Sequence, residues 1–370
     1  MNELEEIRKS ISGIDSEMAR LFEERMHLAA EVAGFKKRNG LPVRDLKRES
    51  EVLEMNIRKI GDPVLREYYT PFIKELIACS SAYQTRLLEG MKVAYCGVPG
   101  AFAHIAASQL YPSSELVSFQ DFESAYKACE SGQVDAAVLP LENSFAGDVG
   151  DVMDLAFSGS LFVNQMIDVE VCQNLLGIKG SRKEDVRTVV SHRQALSQCL
   201  PYIRSHGYKV VEMSNTAKAA QYVADEGDPS VAAIASGEAG DLYGLDILEH
   251  QINSSSFNTT RFATFTRTRN MPSGRDRIDE HFILVFTVLN EAGALAKTLN
   301  IIGAHGFNMC NLRSRPMKEL MWNYYFFVEL EGNVNTPDGE DLLVQLGTVC
   351  EKLKLLGTYR RQVYTGREEK

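Results

Sequence analysis

Apolar residues near the start of the chain recur every three or four positions: Ile7, Ile11, Ile14, Met18, Leu21, Phe22, Leu28, Ala29, Val32 and Phe35. That spacing predicts one long amphipathic helix, stopped by Asn39-Gly40 and Pro42. Two further helices follow, broken by Gly61-Asp62-Pro63, and Gly90 closes a helical segment over 1–90. From 91 onward the pattern changes. Short apolar or β-branched runs at Lys92–Tyr95, Ala136–Leu139, Thr188–Val190, Val210–Glu212 and Val231–Ala235 each precede a turn and a helix-like stretch. The alternation predicts an α/β sheet domain, or two small ones, over 91–270. A polar stretch with Pro and Gly at 271–279 reads as a linker. Beyond it come strand Phe282–Val288, helix Ala294–Ala304, strands Asn308–Arg313 and Trp322–Leu330, helix Asp338–Lys352 and strand Thr358–Val363. That βαββαβ order is ferredoxin-like and occupies 280–364.

Composition narrows the function. A chain of 370 residues, 44% hydrophobic and 24% charged, can build several cores. Its net charge of −10, concentrated in 91–270, speaks against nucleic acid as a partner. The N-terminus MNELEEIRKS has no apolar run, and no stretch has the length of a membrane span. Seven scattered cysteines without a C-x-x-C pair point to reduced thiols in a cytoplasmic protein. Seven histidines without ligand spacing offer no metal site.

Two charges sit where apolar residues belong. With residue 11 at 0° and about 100° per residue, the apolar stripe runs from roughly 260° through 0° to 20°. Arg25 falls near 320° and Lys36 near 340°, inside the stripe, while Arg8 lies near 60° on its edge. One such cation would snorkel from the end of a core. Two in one stripe point to an interior that binds an anion. Arg25 and Lys36 are about 16 Å apart along the helix, within reach of two converging side chains. Arg8 is about 25 Å from Arg25. If all three serve one ligand, Arg8 comes from a second protomer, which predicts an intertwined helical homodimer.

Over 8–49, ending in PVRDLKRES, the chain resembles the all-helical chorismate mutases. The resemblance implies a three-helix domain over 1–90. It places Arg8, Arg25, Asp45, Arg48 and Ser80 at chorismate, and Lys36, Glu49 and Gln84 in catalysis. Ser80 and Gln84 are one helical turn apart and share a face. The implied reaction is a unimolecular rearrangement to prephenate that needs no cofactor. The site must hold a compact dicarboxylate and stabilise charge on the breaking ether oxygen. Arginines would clamp the carboxylates, Lys36 and Gln84 would donate to the ether oxygen, and Glu49 with the Asp45 region would meet the ring hydroxyl.

Four polar clusters in the middle segment are expected to follow strands: CGVPGAF (96–102), PLENSFAGD (140–148), SHRQALSQC (191–199) and NTTRF (258–262). Singly, each reads as turn and N-cap chemistry. His192 reads as structural and Asn215-Thr216 as a helix cap. Neither a nucleophile elbow nor a Gly-rich phosphate loop appears. Together the clusters resemble prephenate dehydratases over roughly 92–268. This implies two α/β lobes around a cleft, similar to periplasmic binding proteins, with Glu142, Asn143, Ser191 and Gln198 at the substrate and Thr260 as the donor to the leaving hydroxyl. Arg261 is a candidate carboxylate holder, with a structural salt bridge as the equal alternative. Ala101 and Ala103 stand where many members have hydroxyl residues.

Residues 281–363 resemble ACT domains, which bind amino acids at subunit interfaces. Gly293-Ala294-Leu295 matches the family's G-A-L turn, where backbone N–H groups can meet a carboxylate. Asn308 and Asn311 would receive the amine. The second motif reads Arg313-Ser314-Arg315-Pro316, with arginine where these dehydratases carry glutamate. The implied whole is a bifunctional enzyme of phenylalanine biosynthesis, inhibited by L-phenylalanine. A pure dimerisation role for the last segment, a sensor with dead sites, and an enzyme with only the mutase live are the rivals. A dead site should have lost Gln84, Glu49 or Thr260, and all are present.

Overall fold

The computed structural model describes residues 3–254, 258–270, 280–317 and 323–364. The chain forms two compact units, Met1–Met91 and Lys92–Lys370. No described helix is long and apolar enough to cross a membrane.

The first unit is three helices: α1 (Glu3–Asn39), α2 (Leu46–Ile57) and α3 (Pro63–Glu89). Acids in the first turn of α1 and Lys36, Lys37 and Arg38 in its last suit the helix dipole. Gly40 follows at φ 62°. Asp45 caps α2, and Asp62 caps α3 with Pro63 at its first position. α3 packs along α1, but among the described residues of this unit only Ala29, Ala33, Ile73 and Ser80 are buried. Ile7, Ile11, Ile14, Met18, Leu21 and Phe22 remain 45–61% exposed. The predicted stripe exists, and half of it is exposed among the described residues.

The second unit opens with β1 (Lys92–Cys96), α4 (Phe102–Leu110), β2 (Glu115–Phe119), α5 (Phe122–Glu130), β3 (Ala136–Asn143), β4 (Gly147–Asp148), α6 (Gly150–Ser158) and β5 (Phe162–Glu170). The chain then crosses to a second lobe. It contains β6 (Asn174–Gly177), β7 (Thr188–His192), α7 (Arg193–Gln198), α8 (Leu200–His206), β8 (Lys209–Met213), α9 (Thr216–Glu226), β9 (Val231–Ala235), α10 (Gly237–Tyr243) and β10 (Asp246–Glu249). These strands form a separate sheet in the order β10-β6-β9-β7-β8. The chain returns as β11 (Thr259–Thr266), antiparallel between β5 and β3. Two lobes joined by two crossings leave a cleft between them, as the resemblance implies. NTTRF therefore does not follow a strand but opens one, so Thr260 and Arg261 are strand residues.

The last segment is β12 (Glu280–Thr287), α11 (Ala294–Ala304), β13 (Met309–Pro316), β14 (Tyr324–Glu331), α12 (Pro337–Gly347) and β15 (Lys352–Tyr364), the expected βαββαβ order. α12 ends at Gly347, because Lys352 already begins β15. The linker 271–279 and Trp322, where the third strand was expected to start, lie outside the described residues. The order β13-β14-β12-β15 continues through a parallel β15–β5 pairing into a ten-stranded sheet. This pairing joins 280–364 to the sheet of 91–270 in one compact unit. At that joint Gly357 faces Val163, and a Cβ there would collide with the Val163 carbonyl. One sheet face, with Ile283, Val285, Tyr325 and Phe327, packs on Val152 and Met153 of α6. The other, with Phe282, Leu284 and Phe286, covers itself with α11 and α12.

Candidate active sites

In the first unit the two misplaced cations meet α3. The Arg25 guanidinium donates to Ser80 Oγ and, at 3.4 Å, to the Leu76 carbonyl. Burial makes the Arg25 charge less favourable than in water. Lys36 Nζ donates to the Val43 carbonyl and, at 3.1 Å, to Gln84 Oε1. Arg25, Lys36, Ser80 and Gln84 thus converge, which accounts for two cations in one stripe. Glu49 comes off the start of α2 and accepts from Ser81 Oγ at 3.1 Å and from Arg44 at 3.3 Å. Sequence reasoning missed Arg44 and Ser81, since neither interrupts an apolar pattern. Asp45 is engaged as a cap, accepting from the Arg48 amide at 3.0 Å. The exposed Arg48 side chain pairs with Glu51 at 3.3 Å. Arg8 is exposed on the same helix as Arg25, about 25 Å away at 1.5 Å per residue. One chain does not bring it to the others.

In the second unit a cavity of about 370 Å³ lies between the lobes. Ala101, Phe102 and Ala103 contribute the start of α4, and Ser214, Asn215 and Thr216 the start of α9. Asn215 caps α9 by accepting from the Lys218 amide at 2.7 Å. α4 has no side-chain cap, because Ala101 stands at its cap position. The two helix starts present positive dipole ends to the cavity, and among the described residues lining it there is a carboxylate, Asp148, but no Lys or Arg.

Thr260 and Asn143 face each other across the paired strands β11 and β3, and both line the cavity. Asn143 Oδ1 accepts from the amides of Phe145 at 3.0 Å and Ala146 at 2.8 Å. Backbone amides only donate, so this fixes which end of the carboxamide is oxygen. Its nitrogen then donates to Thr260 Oγ1 and to Asn258 Oδ1, both at 2.9 Å. With a lone pair of Thr260 so engaged, its hydroxyl proton is left for another acceptor. Gln198 and Gln173 also line the cavity, and their Oε1 atoms are buried without hydrogen bonds. His192, read as structural, lines it too. Its Nδ1 accepts from the Gln194 amide at 3.3 Å, which makes Nε2 the donor of the neutral ring.

Three expected substrate residues point elsewhere. Ser191 is fully buried and gives its hydroxyl to the Ile234 carbonyl. Arg261 donates to Asp168 at 2.9 Å and to Glu329 at 3.1 Å. Burial disfavours its charge, but Asp168 and Glu329 more than offset that. The structural salt bridge is the alternative realised. Glu142 is adjacent to Asn143 and therefore points to the opposite sheet face, where it pairs with Arg313.

In the last segment Gly293 takes φ 84° and caps α11, with Ala294 and Leu295 opening the helix. Asn308 donates to Glu331 at 2.9 Å, and Asn311 accepts from Arg313 at 3.1 Å. β14 separates β13 from β12, so these asparagines are not on the strand next to the turn. β12 and β13 run parallel on either side of β14. Gly293 follows the far end of β12 while Asn308 precedes the near end of β13. An eight-residue strand of about 3.3 Å per residue therefore separates them within one chain.

The prephenate dehydratase family profile matches residues 93–270, and the chorismate mutase type II profile matches residues 7–85. A bifunctional chorismate mutase/prephenate dehydratase of Aquifex aeolicus (strain VF5) is 31% identical, covering 97% of this chain and 98% of the relative. Among solved structures, prephenate dehydratase of Arthrobacter aurescens in complex with L-Phe has TM-score 0.67 at 24% identity, covering 73% of this chain and 90% of its own. GqqA, described as a novel type of quorum quenching acylase, has TM-score 0.67 at 31% identity, covering 73% of this chain and 98% of its own. With both catalytic domains matched in order and the likeness to the Aquifex enzyme running end to end, the chain belongs to the bifunctional chorismate mutase/prephenate dehydratases.

Proposed function

We propose that Arg25, Lys36, Ser80, Gln84 and Glu49 form the mutase site and that Thr260 is the central donor of the dehydratase site. Chorismate rearranges with no group transferred, so the first site acts by positioning and electrostatics. Arg25 meets a carboxylate, and Lys36 and the Gln84 amide nitrogen donate to the breaking ether oxygen. Gln84 Oε1 is already taken by Lys36, which leaves its NH₂ for the ligand. Arg8 reaches this site from a second copy. The bare stripe from Ile7 to Phe22 supports a helical homodimer in which that copy covers it.

At the cleft, prephenate loses its ring hydroxyl and a carboxylate together. The C–O bond breaks with its electron pair on oxygen, which leaves as hydroxide and takes a proton from solvent to become water. The C–C bond breaks, carbon dioxide leaves, and the C–C electron pair completes the aromatic ring of phenylpyruvate. Thr260 is too weak an acid to give up its proton unaided and acts by donating to the departing hydroxyl. The observation that carries this reading is the Asn143–Thr260 bond at the cavity wall. The starts of α4 and α9 hold the carboxylates, which suits a cavity lined by no Lys or Arg. The test is to incubate the pure protein with chorismate and identify the products. Phenylpyruvate bears out both sites; prephenate alone removes the dehydratase.

Residues 280–364 act as an ACT domain that binds L-phenylalanine and inhibits the dehydratase. The L-Phe complex of the Arthrobacter enzyme and the open turn at Gly293 support this. Because Gly293–Leu295 and Asn308–Asn311 are a strand's length apart in one chain, the effector lies between two copies, with the turn from one and the asparagines from the other. Arg313 does not repel the amine there, since its charge is already paired with carboxylates of the dehydratase lobe.

A further inference from the structure

Strand β13 of the last segment reaches into the support of the dehydratase cleft. The chain around Asn143 is a tight hairpin in which β3 pairs with β4, Glu142 opposite Asp148 and Asn143 opposite Gly147. Two carboxylates directly opposite on a strand pair repel and would open it. Arg313 lies between them: one guanidinium nitrogen pairs with Glu142, and the other with Asp148 at 2.6 Å. Its side chain is only 12% exposed, while the two carboxylates are 31% and 32% exposed. Two residues on, Arg315 binds Asp154 of α6, the helix that follows the hairpin, at 3.2 Å.

From this geometry we propose that Arg313 is a positioning residue of the dehydratase, clamping the 142–148 hairpin so that Asn143 keeps its hydrogen bond to Thr260. The proposal rests on reading Thr260 as the donor. Glu142 is then one jaw of the clamp, not a substrate contact. Arginine suits position 313 because its planar fork spans two carboxylates on opposite arms. When Arg313 is neutralised, Glu142 and Asp148 push apart, the turn that satisfies Asn143 Oδ1 loosens, and the Thr260 proton loses its aim.

Kinetics of the full chain test this, with its own mutase activity as the control for folding. Arg313→Gln should lower dehydratase kcat by about tenfold or more, the rate equivalent of one lost charge-assisted hydrogen bond. Its KM should stay within about twofold, because the substrate contacts remain, and mutase activity should not change. Arg313→Lys should recover part of the loss. In a Thr260→Ala background, Arg313→Gln should cost nothing further, since the residue it serves is gone. A full additional loss in that background, or an unchanged kcat in Arg313→Gln, overturns the clamp while leaving Thr260 as donor intact. A wild-type rate in Thr260→Ala alone removes the donor reading, and the clamp with it.

Discussion

The groove on α1 and α3 and the cleft between the two lobes handle successive intermediates with opposite means. The groove uses charge: Arg25 and Lys36 enter an apolar stripe and find their partners on a neighbouring helix. On the proposed reading the cleft uses neutral donors: a threonine, carboxamides and two helix starts, with Arg261 and Arg313 held in ion pairs with carboxylates. A rearrangement that moves no group can be run by fixed charges around a compact dianion. A fragmentation that expels a hydroxyl needs a donor held in one direction, and a hydrogen-bond network does that better than a free charge. On the proposed reading the groove takes Arg8 from a second copy, whereas Thr260 and Asn143 meet within one chain.

The largest effect that can break this contrast is in the groove. Gln84 donates without titrating, whereas Gln84→Glu can donate only when protonated. With an ordinary glutamate pKa of about 4.3, roughly one carboxyl in a thousand is protonated near pH 7.4. The adjacent Lys36 ammonium favours the carboxylate and lowers that fraction further. Mutase activity of this variant should therefore fall on the order of a thousandfold from pH 4 to neutrality, while wild type stays level on the alkaline side. A level pH–rate profile in the variant would falsify the role given to Gln84.

Next come variants that separate the sites. Thr260→Ala should lower the dehydratase by about a hundredfold or more, the scale of one charge-stabilising donor, with the mutase near normal. Lys36→Ala should do the reverse. Parallel loss of both activities in either folded variant contradicts two independent sites. A smaller effect tests the interface effector site. Saturating L-phenylalanine should slow the dehydratase between about fivefold and a hundredfold, the usual range of coupling, and Gly293→Ala should weaken it by straining a left-handed turn. The absence of both inhibition and a calorimetric binding signal would reduce 280–364 to a dimerisation module. The smallest effect concerns the joint between the last strand and the cleft lobe. Gly357→Ala should cost about 1–3 kcal/mol of stability to denaturant, the price of a Cβ forced against the Val163 carbonyl.

How much of this was legible depended on whether a residue's environment lies nearby in sequence. The three helices could be read because their periodicity and their stops, Asn39-Gly40, Asp62-Pro63 and Gly90, are local. Arg25 and Lys36 stood out because charge in an apolar stripe is itself a signal. β2, β4, β5, β6, β10 and β11 were missed. β4, β6 and β10 are only two to four residues long, β2 is a part-exposed edge strand, and β5 and β11 mix polar residues into strands covered on both sides by neighbours. Glu142 and Arg261 could be numbered but not aimed, because their partners Arg313 and Glu329 lie far along the chain. Ser191 differs again: it is turned inward by the register of β7 against β9, which no motif encodes.

Subunit mixing tests the contrast most directly. Arg8→Ala and Lys36→Ala proteins, each nearly inactive as mutases, are combined under conditions of exchange. If the groove borrows Arg8 from its partner, half of the random dimers are mixed, and each of those has one intact site of two. Mutase activity should then rise to about a quarter of wild type. A parallel mixture of Thr260→Ala with Asn143→Ala should recover no dehydratase, because those side chains bond within one chain. Failure of the mutase to recover in exchanged dimers, or recovery of the dehydratase, would contradict the account.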